Sequence, residues 1–329
     1  MAVISQKSSH PSEIPSGSQL NWSLCAWIDN VAKQPNPPSP WTIAWQPREI
    51  GADYSAVLFN GTMYALVIQG THGSIDWHED LDCQTWGAFA PVSGAMVATG
   101  ANTALTDMLA QTNSEGQDLS SYLQSISGSW TDSNFLIITG HSLGGTLTAL
   151  AACWIGFQYI NGQQPLTALP TNIQAMSFAP FAAGNAALAD FLNGSPNYVP
   201  CLNQNDAIPH AWAWDTDVNP LFNTTNLLTN LFPAPGFAPM PDSQLRTTIE
   251  NKVTQMQTSK ISYVQTVGQY SYQFAFLSKP QNPGKHDKKY LWDQEASYQH
   301  NTAYSTTFGT RSSAATSASA EGEPKDEVA

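Results

Sequence analysis

A five-residue turn set between two apolar segments restricts this chain more than any other feature. Phe135-Leu136-Ile137-Ile138 is a compact apolar run of strand length. Gly140-His141-Ser142-Leu143-Gly144 follows almost at once, and Thr146–Trp154 after it is rich in Ala and Leu, as a helix would be. Strand, G-x-S-x-G and helix in that order bend the chain so sharply that the serine takes a strained backbone conformation. The glycines two places before and after it avoid collisions with strand and helix. Such a bend lifts the serine Oγ to the edge of a sheet at a helix N-terminus. The next amide, that of Leu143, then points to where charge would develop on a carbonyl oxygen. Ser142 is therefore a candidate nucleophile. The plainer reading, a glycine-rich turn with an incidental serine, is set aside because of that strand–turn–helix placement.

The rest of the chain supplies the sheet that such a turn needs. Tyr54–Phe59, then Asn60-Gly61, then Met63–Ile68 is a strand–turn–strand pattern. Helical periodicity follows over 101–110 (Leu105, Met108, Leu109) and over 119–126 (Leu119, Leu123, Ile126). Further buried strands are expected at 173–178 and 197–202. This alternation predicts an α/β fold, with a mainly parallel central sheet covered by helices on both faces. Residues 1–19 are Ser- and Pro-rich and 311–329 are small and polar, so both read as disordered. Residues 20–310 read as one domain. Its first element is a short helix, Leu20–Val31, joined through the stiff Pro35–Pro40 connector.

A serine hydroxyl is a poor nucleophile until a histidine takes its proton, and an acid must orient that histidine. In this fold class the chain order is serine, acid, histidine. Asp190, Asp206, Asp215, Asp217 and Asp242 all follow Ser142. Asp206 is best placed, just beyond the strand ending near Leu202, because an open α/β sheet builds its site at the carboxyl ends of its strands. Its company in Asn203–Pro209 also fits an Asx-turn. Of the later histidines, His210 is too close to Asp206 to come from a separate loop. His286 lies in a charged loop and is held in reserve. His300, at the start of a plausible last helix, is chosen as the base. The second oxyanion donor is expected in Gln69-Gly70-Thr71-His72-Gly73, at Thr71, with an ordinary turn as the alternative.

Composition narrows the substrate. The net charge is −13, from 12 basic and 25 acidic residues, which disfavours nucleic acid and anionic membrane alike. Only 11% of residues are charged, against 42% hydrophobic, so much surface polarity must come from uncharged side chains. That suits a neutral or zwitterionic substrate and at most transient contact with a lipid interface. The four cysteines form no C-x-x-C pair, and neither metal nor cofactor is implied. A Cys25–Cys83 disulfide is left open. No run reaches about 18 apolar residues, so no membrane-spanning helix is expected. The first residues lack an apolar h-region, so the expectation is a cytoplasmic protein or one exported without a Sec signal peptide.

With these residues in view, the chain resembles the class 3 lipases, the fungal-type triacylglycerol lipase family. Thr139–Gly145 matches that family's nucleophile motif residue for residue. Gly70-Thr71 with Ile75-Asp76-Trp77 and Asp80-Leu81 is similar to its oxyanion and lid segment. Ser177-Phe178 with Gly184-Asn185, then Asn203 with Asp206–His210, resemble the stretches that follow, and His300 with Tyr304 resembles its late helix. Gln69 stands where an arginine is usual, and the arginine of the family's P-R-V-G-N stretch, matched here by Ser177–Asn185, is missing, with Pro180 shifted by one.

The resemblance implies an α/β-hydrolase fold and a carboxylic ester hydrolase that forms an acyl-enzyme. It also implies a Ser142–Asp206–His300 triad and oxyanion donors at Thr71 and Leu143. Acylglycerols are the expected substrates, with a phospholipase A1, a short-chain esterase or a non-catalytic lipid-binding module as alternatives. Residues 73–82 would be the lid, with Trp77 and Ile75 as lipid contacts among the acids Asp76, Glu79, Asp80 and Asp82. The separation of Asp206 from His300 is long for the family. The excess, within 212–285, is apolar and proline-punctuated, and reads either as a cap over the site or as a packed excursion with a small core of its own.

Overall fold

The computed structural model describes residues 14–51, 53–71, 83–131, 133–159, 164–229, 231–232, 240–241, 243–277 and 288–309. The chain opens with helix α1 (Ser18–Ile28), two residues inside the stretch read as disordered. Strands β1 (Thr42–Trp45), β2 (Ser55–Phe59) and β3 (Tyr64–Ile68) follow, then a small pair, β4 (Trp86–Ala88) and β5 (Met96–Ala98). Next come helices α2 (Thr99–Ala110) and α3 (Leu119–Ser127), strand β6 (Leu136–His141) and helix α4 (Leu143–Tyr159). The second half holds β7 (Ile173–Phe178), α5 (Ala186–Asn193), β8 (Tyr198–Asn203), α6 (Thr224–Thr229), α7 (Gln244–Thr258) and β9 (Tyr272–Phe274). It ends with α8 (Lys288–Ser297) and α9 (Ala303–Phe308).

Seven strands form one sheet in the order β1-β2-β3-β6-β7-β8-β9. The first three are antiparallel, with the Asn60-Gly61 hairpin between β2 and β3. From β3 to β9 every pairing is parallel. Parallel strands buried on both faces read as continuous apolar runs, and all six residues of β6 are buried. Period-2 alternation divides the core accordingly. Leu66, Ile68, Leu136 and Ile138 face α2, α3 and α4, whereas Ala65, Val67 and Ile137 face α1. Helix α4 is apolar almost all round, as a helix buried against a sheet should be.

The register brings the carboxyl ends of the strands to a common edge. Ile68 lies opposite Gly140, His141 opposite Phe178, and Phe178 opposite Cys201. The loops after β3, β6 and β8 therefore emerge side by side, where open α/β sheets place their sites.

The segment 212–285 is not a detached excursion with a core of its own. Trp212, Leu227, Ile249, Met256 and Tyr263 belong to the main core, and β9 completes the sheet. The Tyr263 hydroxyl donates to the Cys83 carbonyl at 2.8 Å. Phe237 and the prolines 233, 235 and 239 of that segment lie outside the described residues. The cysteines are buried free thiols, so the Cys25–Cys83 disulfide is not made. Cys25 packs with Trp22 and Phe178 while Cys83 belongs to the main core.

Candidate active site

Ser142 sits between β6 and α4 with φ of 59°, the left-handed conformation that a non-glycine residue rarely adopts. Its amide donates to the Phe178 carbonyl at 2.9 Å, and its carbonyl accepts from Thr146 N–H at 3.1 Å. Close packing on both sides holds this strained turn. A Cβ at Gly144 would overlap the Ile68 carbonyl, so α4 starts this close to β3 only because position 144 is glycine. Leu143, which follows the serine, is the first residue of α4, and Thr71 in the segment after β3 is half-buried. The strand leading to Thr71 passes very near. A Cβ built at Gly70 would lie 3.4 Å from that of Ser142 and 2.8 Å from the His141 carbonyl oxygen.

Asp206 follows β8 directly. It is fully buried, and its Oδ1 accepts the Ile208 amide at 3.0 Å, the Asx-turn that its sequence context indicated. The turn leaves the carboxylate free to reach His300 as well. His300 Nδ1 lies 2.9 Å from Asp206 Oδ2 and 3.0 Å from Oδ1. A carboxylate accepts only, so Nδ1 donates to Asp206 and Nε2 is the nitrogen left over on the other side of the ring. The His300 side chain retains 17% of its exposure, against none for Asp206.

His300 does not begin a helix. It sits in a wide π-type turn, Tyr298–Thr302, between α8 and α9. Such turns re-aim side chains and cluster at functional sites. A polar network pins this one to the end of β8. Asn203 Nδ2 donates to the Gln299 carbonyl at 3.0 Å and to Gln299 Oε1 at 2.7 Å, and Gln299 Nε2 donates to Glu295 at 2.8 Å. The Tyr304 hydroxyl accepts the Asn203 amide at 2.9 Å and lies within the influence of the Asp206 charge. Burial first, and the Asp206 charge second, push this phenol well above its ordinary pKa, so it remains a donor.

His210 is buried, with Nε2 donating to the Gln204 carbonyl at 3.0 Å. Burial pushes its pKa below the ordinary value, only partly offset by that bond and by the Asp206 charge. His286 and the lid segment 73–82 lie outside the described residues.

Residues 65–216 match the family model described as lipase (class 3). Over that segment the chain is similar to the class 3 lipases. The M37 lipase crystal structure superposes with a TM-score of 0.65 at 19% identity, covering 90% of this chain and 94% of that one. At that identity the likeness establishes the α/β-hydrolase fold. The triacylglyceride lipase of Rhizomucor miehei covers 59% of this chain and 71% of its own at 20% identity, TM-score 0.45. Lipase II from Rhizopus niveus covers 59% and 72% at 18% identity, also with a TM-score of 0.45. No curated protein sequence is a significant match. The chain is a carboxylic ester hydrolase of the lipase class.

Sequence reasoning passed over several residues that crowd the lipase site. Asp29, at the end of α1, accepts the Gly70 amide at 3.0 Å, and Gln69 Nε2 donates to the Ile28 carbonyl at 2.8 Å. Gln69, where the family favours arginine, therefore ties the segment just after β3 to α1. His141, an unassigned position of the nucleophile motif, touches both Asp29 and the His300 backbone. An acid ending the first helix and a histidine beside the serine were the available signals. Neither carries a pattern until the fold joins them.

Proposed function

We propose that this lipase hydrolyses acylglycerol-type esters through Ser142, Asp206 and His300, with the Thr71 and Leu143 amides as oxyanion donors. The observation that carries the reading is the 2.9 Å Asp206–His300 contact, made by residues 94 positions apart, on the same sheet edge as the strained Ser142. With Nδ1 committed to Asp206, His300 Nε2 takes the Ser142 proton as Oγ bonds to the ester carbonyl carbon. The carbonyl oxygen becomes an oxyanion, which the two amides stabilise. Collapse of the tetrahedral intermediate breaks the carbon–oxygen bond to the alcohol, which leaves with the proton from His300. Water then loses a proton to His300 and attacks the acyl-enzyme. The acid is released and Ser142 regains its proton.

The family match and the weakly charged surface favour an apolar acyl ester over a charged substrate. Ser142→Ala is expected to stay folded and to lose about 10⁶-fold in kcat on a p-nitrophenyl ester, as removal of a triad serine does. Wild type is expected to be labelled by a fluorophosphonate probe, with the label on Ser142. Retained activity in the alanine variant, or label on another residue, overturns the assignment. A panel of acylglycerols, phospholipids and short-chain esters identifies the substrate; preference for phospholipid or for short acyl chains replaces the acylglycerol reading.

A further inference from the structure

Behind the proposed triad lies a second histidine–carboxylate pair. His141 is almost fully buried, and both of its ring nitrogens face acceptors. Nε2 is 2.9 Å from the His300 carbonyl oxygen, and Nδ1 is 3.4 Å from Asp29 Oδ2. A neutral imidazole has one N–H and could serve only one of them. The His141 ring also lies beside that of His300, with centroids 4.5 Å apart, and Trp22 and Tyr304 close its remaining sides at 5.3 and 5.7 Å.

Asp29 is oddly placed for a structural acid. It caps the C-terminus of α1, where the helix dipole disfavours negative charge. Two contacts hold it there. One carboxylate oxygen accepts the Gly70 amide and the other faces His141. Asp29 and His141 together thus form a continuous bridge. It runs from the Gly70–Thr71 strand, through the carboxylate and the imidazole, to the backbone of the turn that carries His300.

We propose that Asp29 and a doubly protonated His141 are positioning residues that hold the base-bearing turn and the oxyanion strand in register across Ser142. The inference rests on the triad reading above. It assigns a task to the motif histidine and to the first helix, which otherwise have none in the reaction. The titratable groups around the ring are Asp29 from the end of α1, Asp206 from the loop after β8, His300 from the π-type turn and Tyr304 from α9. Burial disfavours the imidazolium, but the Asp29 contact and charge, the Asp206 charge and the His300 carbonyl outweigh it and raise the His141 pKa above its ordinary value. When pH rises past that value, one of the two bonds is lost and the bridge opens. Activity should therefore have an alkaline limb that belongs to His141 and not to the base.

The experiment uses the full chain, with Asp29→Asn, Asp29→Glu and His141→Gln. Asp29→Asn retains an oxygen for the Gly70 amide but lacks the charge that holds the imidazolium. Its kcat should fall on the order of ten- to a hundredfold with KM little changed, the size of loss expected when reacting groups move out of line. The alkaline limb of its kcat/KM profile should move down by about one pH unit. Asp29→Glu should recover much of both, and His141→Gln should lose kcat and the limb together. Independently of activity, wild-type protein with ¹⁵N-labelled histidine should show one ring, identified by its loss in His141→Gln, with both nitrogens protonated at pH 7.

A neutral His141 ring at pH 7 overturns the proposal, whatever the Asp29 variants do. So do an Asp29→Asn variant with wild-type kcat and an unmoved alkaline limb, and an Asp29→Glu variant no better than Asp29→Asn. An active Ser142→Ala variant would instead sink the triad reading, so the two failures are distinguishable.

Discussion

The lipase holds two histidine–carboxylate pairs side by side, Asp206–His300 and Asp29–His141, and they differ in what the second nitrogen meets. In the first pair the acid is sealed from solvent, the contact is 2.9 Å, and the far nitrogen of a partly exposed ring is left for a substrate-side proton. In the second the acid keeps 27% of its exposure, the contact is 3.4 Å, and the far nitrogen is closed off by a backbone carbonyl. In the proposed reading the same two residue types yield a proton acceptor in one place and a fixed donor in the other. The deciding variable is the partner of the second nitrogen rather than the carboxylate, because a ring that donates from both nitrogens has no lone pair with which to act as a base.

The comparison breaks most sharply at the base. His300→Ala should lower kcat on the order of 10⁶-fold, as loss of a triad histidine does, while the thermal midpoint stays near that of wild type. An activity close to wild type would mean that another histidine, His286 or His141, takes the proton. Asp206→Asn comes next, with about 10⁴-fold lost in kcat because the amide stabilises the wrong imidazole tautomer. If Asp206→Asn cost no more than Asp29→Asn, the distinction between the pairs would collapse.

The smaller effects sharpen the contrast. His141 has a raised folded pKa, so its contribution to stability is complete below the unfolded value of about 6.5 and is lost as pH rises through the folded value. The melting difference between wild type and Asp29→Asn should accordingly be largest at mildly acidic pH and shrink towards alkaline pH. A difference that is constant across that range would remove the charge from the account. Tyr304→Phe should be the mildest in activity. It leaves the buried Asn203 amide without its acceptor, which should cost about 1–3 kcal/mol in a denaturant titration, with only a few-fold loss in kcat.

What could be read before the fold was known follows the range of the interactions involved. The elbow was legible because strand, glycines and helix are neighbours in the chain, and its strain is a local steric matter. The parallel strands were legible because burial on both faces leaves an unbroken apolar run, and β6 and β7 lie where those runs are. Strands β1 and β9 were not, since β1 lies at a sheet edge with only Trp45 buried and β9 has three residues with only Phe274 buried, too little pattern to register.

By itself, the order of residues determined the fold class, the bend at Ser142 and the acid at the end of β8. Tertiary structure alone decided the identity of the paired histidine and the π-type turn that aims it, because Asn203, Gln299 and Tyr304 act from separate segments. It alone also brought the end of the first helix against the Gln69–Gly70 segment after β3. Local sterics constrain a few consecutive residues, whereas a hydrogen bond between positions 29 and 141, or 206 and 300, exists only once the sheet has brought them to the same edge.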